Sequence, residues 1–314
     1  ERLCTLEGGS QCLLVPSGLA AIATVGLALL KAGDEVLIPD NAYGPGKDFA
    51  VVELARYGIT HAFFDALNPD DLAQRITPKT RLVWLEAPGS VTMEFPDLVA
   101  QVRICRERGV LTALDNTWGA GLAFAPFDLL GDGSLGVDVS AHALTKYPSG
   151  GGDVLMGSVV TRDEALHLRL KLTHMRGGWG VGANDAEAVL RALPSIALRY
   201  RAHDQGARAL AAWLGQRGSG GSLMTIQLMI DANVIAPGKV DDAAGPGGPG
   251  IPIYRPAGYK FFDSLAMEAS GNICVATLIR GGISVISPDG RLCSHVPLPD
   301  RYTTNLCFGG PDLR

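Results

Sequence analysis

Apolar and polar positions run through the first two thirds of the chain in two alternating rhythms. Short apolar runs bounded by turn residues predict strands at Glu35–Pro39, His61–Phe64, Leu82–Glu86, Val110–Leu114 (ending on Asp115) and Val137–Ser140. Helical spacing fills the gaps at Asp70–Arg75 and at Pro96–Arg108, the latter read with its proline in the first turn, where a missing N–H is harmless. Asn184–Leu214 reads as one long helical region. Strands separated by helices predict a three-layer α/β domain with a mostly parallel sheet and helices on both faces. Ligands of such sheets gather where the strands end.

The run Cys12–Leu30 is almost wholly apolar and nearly long enough to span a bilayer. Pro16, Ser17 and Gly18 interrupt it early, so the expectation is a buried helix behind a loop and no membrane segment. Texture changes after Leu214. Residues 215–250 are linker-like, with GQRGSGGS and PGKVDDAAGPGGPGIP ruling out a helix or a central strand. Beyond them Asn272–Leu278, Gly282–Ile286 and Leu292–Val296 read as short strands, with Ser287-Pro288-Asp289-Gly290 as a hairpin turn. Residues 251–314 are therefore expected to form a small antiparallel β unit.

Composition narrows the function classes. The chain has 314 residues, enough for two domains, and 47% hydrophobic residues, enough for a buried core. A net charge of −5 without any Lys/Arg run argues against a nucleic-acid partner. The six cysteines are scattered without a C-x-x-C pair, which reads as reduced thiols in the cytoplasm. The chain opens at Glu1 without a leader pattern, which reads as a fragment or a displaced start.

Several loop positions carry candidate chemistry. Lys146 follows a predicted strand in Ser140-Ala141-His142-Ala143-Leu144-Thr145-Lys146-Tyr147; it is a candidate nucleophilic amine, or simply a solvent lysine. Asp115 ends an apolar strand, where a carboxylate meets ligands or caps the following loop. Tyr43 lies in a loop after Pro39 and could stack on a flat ring or pack locally. Ser17, Gly18 and Leu19 open the apolar helix, where free amides and a hydroxyl suit a phosphate, although Ser17 also fits an ordinary N-cap. Thr145 could add a hydroxyl. Amine, carboxylate, flat ring and phosphate seat are the four things that pyridoxal 5'-phosphate (PLP) asks of a protein.

The strings LVPSGLAAI, DNAYGPGKDF, WLEAPGSVTMEFPDL, LDNTWGAG and DVSAHALTKY occur together in an order that resembles the Cys/Met-metabolism PLP-dependent enzymes, and within them the bacterial cystathionine β-lyase branch. The resemblance covers residues 1–214. It implies a fold-type-I, aspartate-aminotransferase-like large domain and a homo-oligomer. It makes Lys146 the lysine that holds the aldehyde, Asp115 the partner of the pyridinium nitrogen and Tyr43 the stacking ring. It assigns the phosphate to the Gly18 and Leu19 amides and to Thr145. The implied reaction is β-elimination from a small sulfur amino acid in transsulfuration and methionine metabolism, giving thiol, pyruvate and ammonia, with Lys146 and Tyr43 at the reacting centre.

Departures from the family pattern are Gly150-Gly151-Gly152-Asp153 in place of Gly-His-Ser-Asp, Tyr43-Gly44-Pro45 in place of Tyr-Glu-Pro, and Ala143 where serine is common. No segment resembles the family's N-terminal Tyr/Arg arm or the C-terminal domain whose Arg binds the substrate carboxylate. Weak PLP binding and poor lyase activity are expected on that ground.

Phe261–Arg314 resembles the SMP-30/gluconolactonase family, whose fold is a β-propeller, and so implies a propeller-type β fragment. By that likeness Asp263 corresponds to a divalent-metal ligand, but it reads as a turn aspartate and no metal is expected. Two alternatives to the lyase stand: an inactive fusion or chimera, and a gluconolactonase-like metal-dependent hydrolase.

Overall fold

The computed structural model describes residues 1–90, 92–216, 261–267, 272–278, 281–287 and 291–299. The chain divides into two compact units, Glu1–Arg201 and Ala202–Arg314. Most of the expected 215–250 linker lies outside the described residues, as does the tip of the expected hairpin turn at 288–290.

In chain order the first unit contains α1 (Arg2–Glu7), β1 (Gln11–Val15), α2 (Gly18–Leu29), β2 (Glu35–Pro39) and α3 (Gly44–Asp48). A π-helical segment (Phe49–Leu54) leads to β3 (Thr60–Phe64), α4 (Pro69–Arg75), β4 (Thr80–Glu86), α5 (Leu98–Glu107) and β5 (Leu111–Asp115). Then come β6 (Val139–Ala143), β7 (Gly157–Thr161), α6 (Glu164–Gly177) and α7 (Ala183–Ala192). A 3₁₀ turn (Leu193–Ser195) joins α7 to α8 (Ile196–Gln216), which runs past the boundary between the units.

The seven strands form one sheet in the order β1-β7-β6-β5-β4-β2-β3. Pairs from β3 through β2, β4 and β5 to β6 are parallel, whereas β7 runs antiparallel to both β6 and β1. Strand periodicity sorts the core. Val36, Ile38, Leu82, Trp84, Ala113, Val139 and Ala141 pack on one face with Ala21 and Val25 of α2. Leu37, Val83, Leu85, Leu114 and Val160 pack on the other with Leu98 and Val102 of α5. Apolar residues on both faces of the central strands are what a sheet covered on both sides requires.

β2 has the expected bounds; the other expected elements of the first unit shift at one or both ends, and three of these changes have local causes. Pro96 stands outside α5, because the Asp97 carboxylate accepts the Ala100 N–H at 2.9 Å and makes Asp97 the cap. β6 begins at Val139, since the Asp138 carboxylate turns back to the Thr112 N–H (2.7 Å) and hydroxyl (2.9 Å). The long helical region is broken at Pro194, which has no N–H to continue the helix. The run Cys12–Leu30 divides into strand, loop and a 12-residue helix, and among the described residues no helix is long and apolar enough to cross a membrane.

The second unit contains an antiparallel sheet of β8 (Phe261–Met267), β9 (Ile273–Leu278), β10 (Ile283–Ile286) and β11 (Leu292–Val296), in the order β11-β10-β9-β8. Three of these strands follow the sequence pattern and β8 adds a fourth. Asp263 falls in β8, at a register shift between Phe262 and Leu265. Among the described residues no group of His, Cys, Asp and Glu is placed to hold a metal ion.

Candidate cofactor site

The candidate residues lie at the carboxyl ends of β2, β4, β5 and β6 and at the start of α2. Asp115 ends β5, partly buried, and Glu86 ends the neighbouring β4 in register with it, 3% exposed. Burial, followed by the charge of Asp115, pushes the Glu86 carboxyl well above the usual carboxylate range. Burial, with a lesser push from Glu7, raises Asp115 against hydrogen bonds from Thr117 and the electrostatic effect of His142. The Glu86 carboxylate accepts the Tyr43 N–H at 2.8 Å. That bond ties the tyrosine loop to β4 and leaves the ring 42% exposed.

A continuous path runs onward from Asp115. Its carboxylate accepts the Thr117 N–H at 3.0 Å. The Thr117 hydroxyl accepts the Ala143 N–H at 2.9 Å, and the Ala143 carbonyl accepts the Lys146 N–H at 3.2 Å. Lys146 is exposed, and its amine has no ion pair or hydrogen bond among the described residues. Ala143, where the family often has serine, serves packing here. A Cβ placed on Gly18 would lie 2.6 Å from the Ala143 Cβ, so the start of α2 rests directly on the end of β6.

Ser17 caps α2, its hydroxyl accepting the Ala20 N–H at 3.0 Å. The Gly18 and Leu19 amides have no intrahelical acceptor, as at any helix start, and carry the positive end of the helix dipole. The Thr145 hydroxyl is turned to the Met156 backbone, 3.4 Å from its carbonyl and 3.3 Å from its nitrogen.

Two contributors escaped the sequence reading. Glu86 was read only as the last residue of a strand, although a carboxylate there has the same placement that singled out Asp115. Glu7 of α1 is 1% exposed and binds three donors from the far side of the sheet: the Asn116 amide, the Ser140 hydroxyl and His142 Nδ1, each at 2.8 Å. These contacts span 109 to 135 residues, and no local pattern signals them.

The residues fit PLP by donor chemistry. A free amine, a strand-end carboxylate, an exposed ring and a helix start meet around one end of the sheet. An apolar cavity that Tyr43 itself helps to line, with Ile22, Ile38, Phe49, Leu54 and Trp84, is hydrocarbon and unsuited to a phosphate-bearing molecule.

Comparison with known families agrees with this geometry. The profile of the Cys/Met metabolism PLP-dependent enzymes matches residues 1–221. The chain belongs to that family. A second profile, the SMP-30/Gluconolactonase/LRE-like region, matches residues 232–314. Both matches reach beyond the quoted motifs. A cystathionine beta-lyase of Bordetella avium is 41% identical over 212 residues, which is 68% of this chain and 52% of that protein. Cystathionine beta-lyase MetC of Escherichia coli is 35% identical over 218 residues, 69% of this chain and 53% of that protein. An L-alanine/L-glutamate racemase of Wolbachia pipientis is 34% identical over 214 residues, 68% of this chain and 51% of that protein. The chain spans about half the length of these relatives. Their names differ in reaction, so membership of the family fixes the cofactor class more firmly than the bond that is cleaved.

Proposed function

We propose that this chain is a PLP-dependent carbon–sulfur lyase of the cystathionine β-lyase type, releasing thiol, pyruvate and ammonia from a sulfur amino acid. The observation that carries the reading is the hydrogen-bonded path from Asp115 through Thr117 and Ala143 to Lys146, beside a Tyr43 loop fixed by Glu86. The relatives named cystathionine beta-lyase support the choice of reaction.

When bound, PLP supplies an electron sink for charge developing at the substrate α-carbon. The chain's own residues do the rest. The unpaired Lys146 amine would hold the aldehyde and would serve as the base toward the proton on the substrate α-carbon. The Asp115 carboxylate would accept the pyridinium N–H and favour its protonated state. Tyr43 would cover one face of the ring, its loop position fixed by the backbone bond to Glu86. The Gly18 and Leu19 amides, with Ser17 and Thr145 beside them, would take the phosphate at the positive end of α2. We also propose a cytoplasmic homo-oligomer, as the resemblance implies.

The test is purification with PLP, a visible absorbance spectrum, and an assay of pyruvate release from cystathionine, each repeated with Lys146→Ala. The expected result is a weak visible band and slow pyruvate formation, both lost in the variant. A band without pyruvate would leave the cofactor and overturn the reaction. A chain without the band would overturn both.

A further inference from the structure

The proposed chemistry leaves one buried charged cluster unused. On β6, Ala141 and Ala143 share the α2 face of the sheet with Asp115, so Ser140 and His142 point to the opposite face by strand alternation. There α1 brings in Glu7. Its Oε1 lies 2.8 Å from His142 Nδ1, and its Oε2 accepts from both Asn116 Nδ2 and Ser140 Oγ at 2.8 Å. The Glu7 and His142 side chains are both fully shielded from solvent.

A carboxylate in that position would be expelled or protonated without compensation. Three donors converge on this one, and despite burial they hold Glu7 below its ordinary range, the His142 contribution being the largest of the favourable causes. Glu7 is therefore an anion. Each of its ties reaches an element of the proposed site. Asn116 directly follows Asp115, and its own N–H bonds the Ala141 carbonyl at 2.8 Å. Gly119 lacks the Cβ that would lie 2.2 Å from Asn116 Oδ1, so the turn after β5 closes tightly over this amide. Ser140 and His142 belong to the strand that leads into Lys146.

The charges also need to balance. Asp115 must be an anion to hold a pyridinium, and Glu7 is a second anion behind the same two strands. With a neutral imidazole between them, two carboxylates would repel across a low-dielectric sheet. With a second proton, His142 neutralises Glu7 and leaves Asp115 free for its own cation. The remaining His142 nitrogen, Nε2, is buried and has no hydrogen-bond partner among the described residues, so any stabilisation of a second proton comes from the Glu7 carboxylate 2.8 Å from Nδ1. A ring so protonated would also act on Asp115 across the strand.

We propose that Glu7 and His142 form a buried carboxylate–imidazolium pair that acts as a positioning unit for Asp115, fixing the ends of β5 and β6 from the far face of the sheet and keeping Asp115 ionised. The proposal rests on the PLP reading for its purpose and on the Glu7–His142 geometry for its substance. The other titratable group near Glu7 is the Cys12 thiol of β1, on which the Glu7 charge acts; across the sheet, Glu86 and Lys47 act around Asp115.

The test uses the full chain, His142→Gln and Glu7→Gln. Glutamine at 142 can still donate to Glu7 but carries no charge. The first readout needs no cofactor: nitrogen NMR of the His142 ring, assigned by its loss in His142→Gln. Protons on both ring nitrogens at neutral pH, with one lost in Glu7→Gln, are expected. A singly protonated ring in the native chain overturns the proposal. The second readout is PLP affinity against pH. In His142→Gln, Asp115 protonates more readily, so the acid-side loss of affinity should begin at higher pH, with binding near pH 6 weakened by about three- to tenfold. An unchanged acid limb in a folded His142→Gln overturns the proposal, because a merely structural tie would not move it. If the native chain takes no PLP, the functional reading falls and the ring signal alone decides the inference.

Discussion

Glu86 and Asp115 stand in register at the carboxyl ends of β4 and β5, two carboxylates side by side on one face of the sheet. Desolvation by burial and the neighbouring charge push Glu86 well above its ordinary value of 4.5. A raised folded value means that the native chain holds a proton the unfolded chain has released. The stability this group contributes is complete below 4.5 and is lost as pH rises through the folded value. Glu86→Gln, which keeps an acceptor for the Tyr43 N–H, should flatten that loss. Chemical denaturation of cofactor-free protein from pH 5 upward checks it; parallel native and variant curves would place the proton elsewhere.

Glu7 has the opposite sign. Its folded value is lowered, so its contribution is present above 4.5 and lost as pH falls through the folded value. Glu7→Ala removes the anion and strands His142, Asn116 and Ser140 in the interior. We expect a destabilisation of about 3–5 kcal/mol at neutral pH, read as a lower denaturation midpoint. A change below about 1 kcal/mol would mean that the cluster relaxes without it.

Gly157 sets the start of α2 by what it lacks. A Cβ there would lie 2.3 Å from the Ser17 carbonyl oxygen and 3.0 Å from the Gly18 nitrogen. Gly157→Ala should cost about 1–3 kcal/mol in stability through overpacking. It should also weaken PLP binding by about tenfold, the effect of losing a hydrogen bond to a charged group. Equal affinities for pyridoxal, which has no phosphate, would localise the damage to the helix start.

Arg199 of α8 braces the Lys146 turn. Its guanidinium donates to the Tyr147 carbonyl (2.6 Å), the Ala192 carbonyl (3.1 Å) and the Ser195 hydroxyl (3.0 Å). A lysine cannot reproduce that fork. Arg199→Lys should lower stability by about 1.5–3 kcal/mol and speed hydrogen exchange of amides around Ser149. Unchanged exchange there would show that the turn holds itself.

Sequence periodicity was enough for the middle of the first unit, where β2, β4 and β5 are apolar on both faces and bounded by turns. It failed at the antiparallel edge. β1 is only partly buried except at Val15, and its residues merge with the apolar helix that follows. β7, α1 and α6 went unread for want of such boundaries. The placement of the candidates Lys146, Asp115, Tyr43 and the Ser17–Leu19 turn was legible because each sits beside a strand end or a helix start. Glu86 was within reach of the same rule. The Glu7–His142 contact was not, because a glutamate on a short helix and a histidine on a strand become partners only once the sheet has closed.

That closure has an order in time. Glu7 and β1 leave the ribosome before the strands they pair with: the neighbour of β1 is β7, with Cys12 opposite Val160, and the partners of Glu7 lie more than 100 residues on. At about 5–20 residues per second, roughly ten seconds of synthesis separate Glu7 from His142. During that interval the glutamate stays hydrated, and the apolar positions of β1 have no strand to pair with. The segment of α1 and β1 is therefore a late-docking clasp, and its long loop closures slow the later steps of folding. A chaperone that shields α1 and β1 on the nascent chain would act on the segment that later locks this end of the sheet.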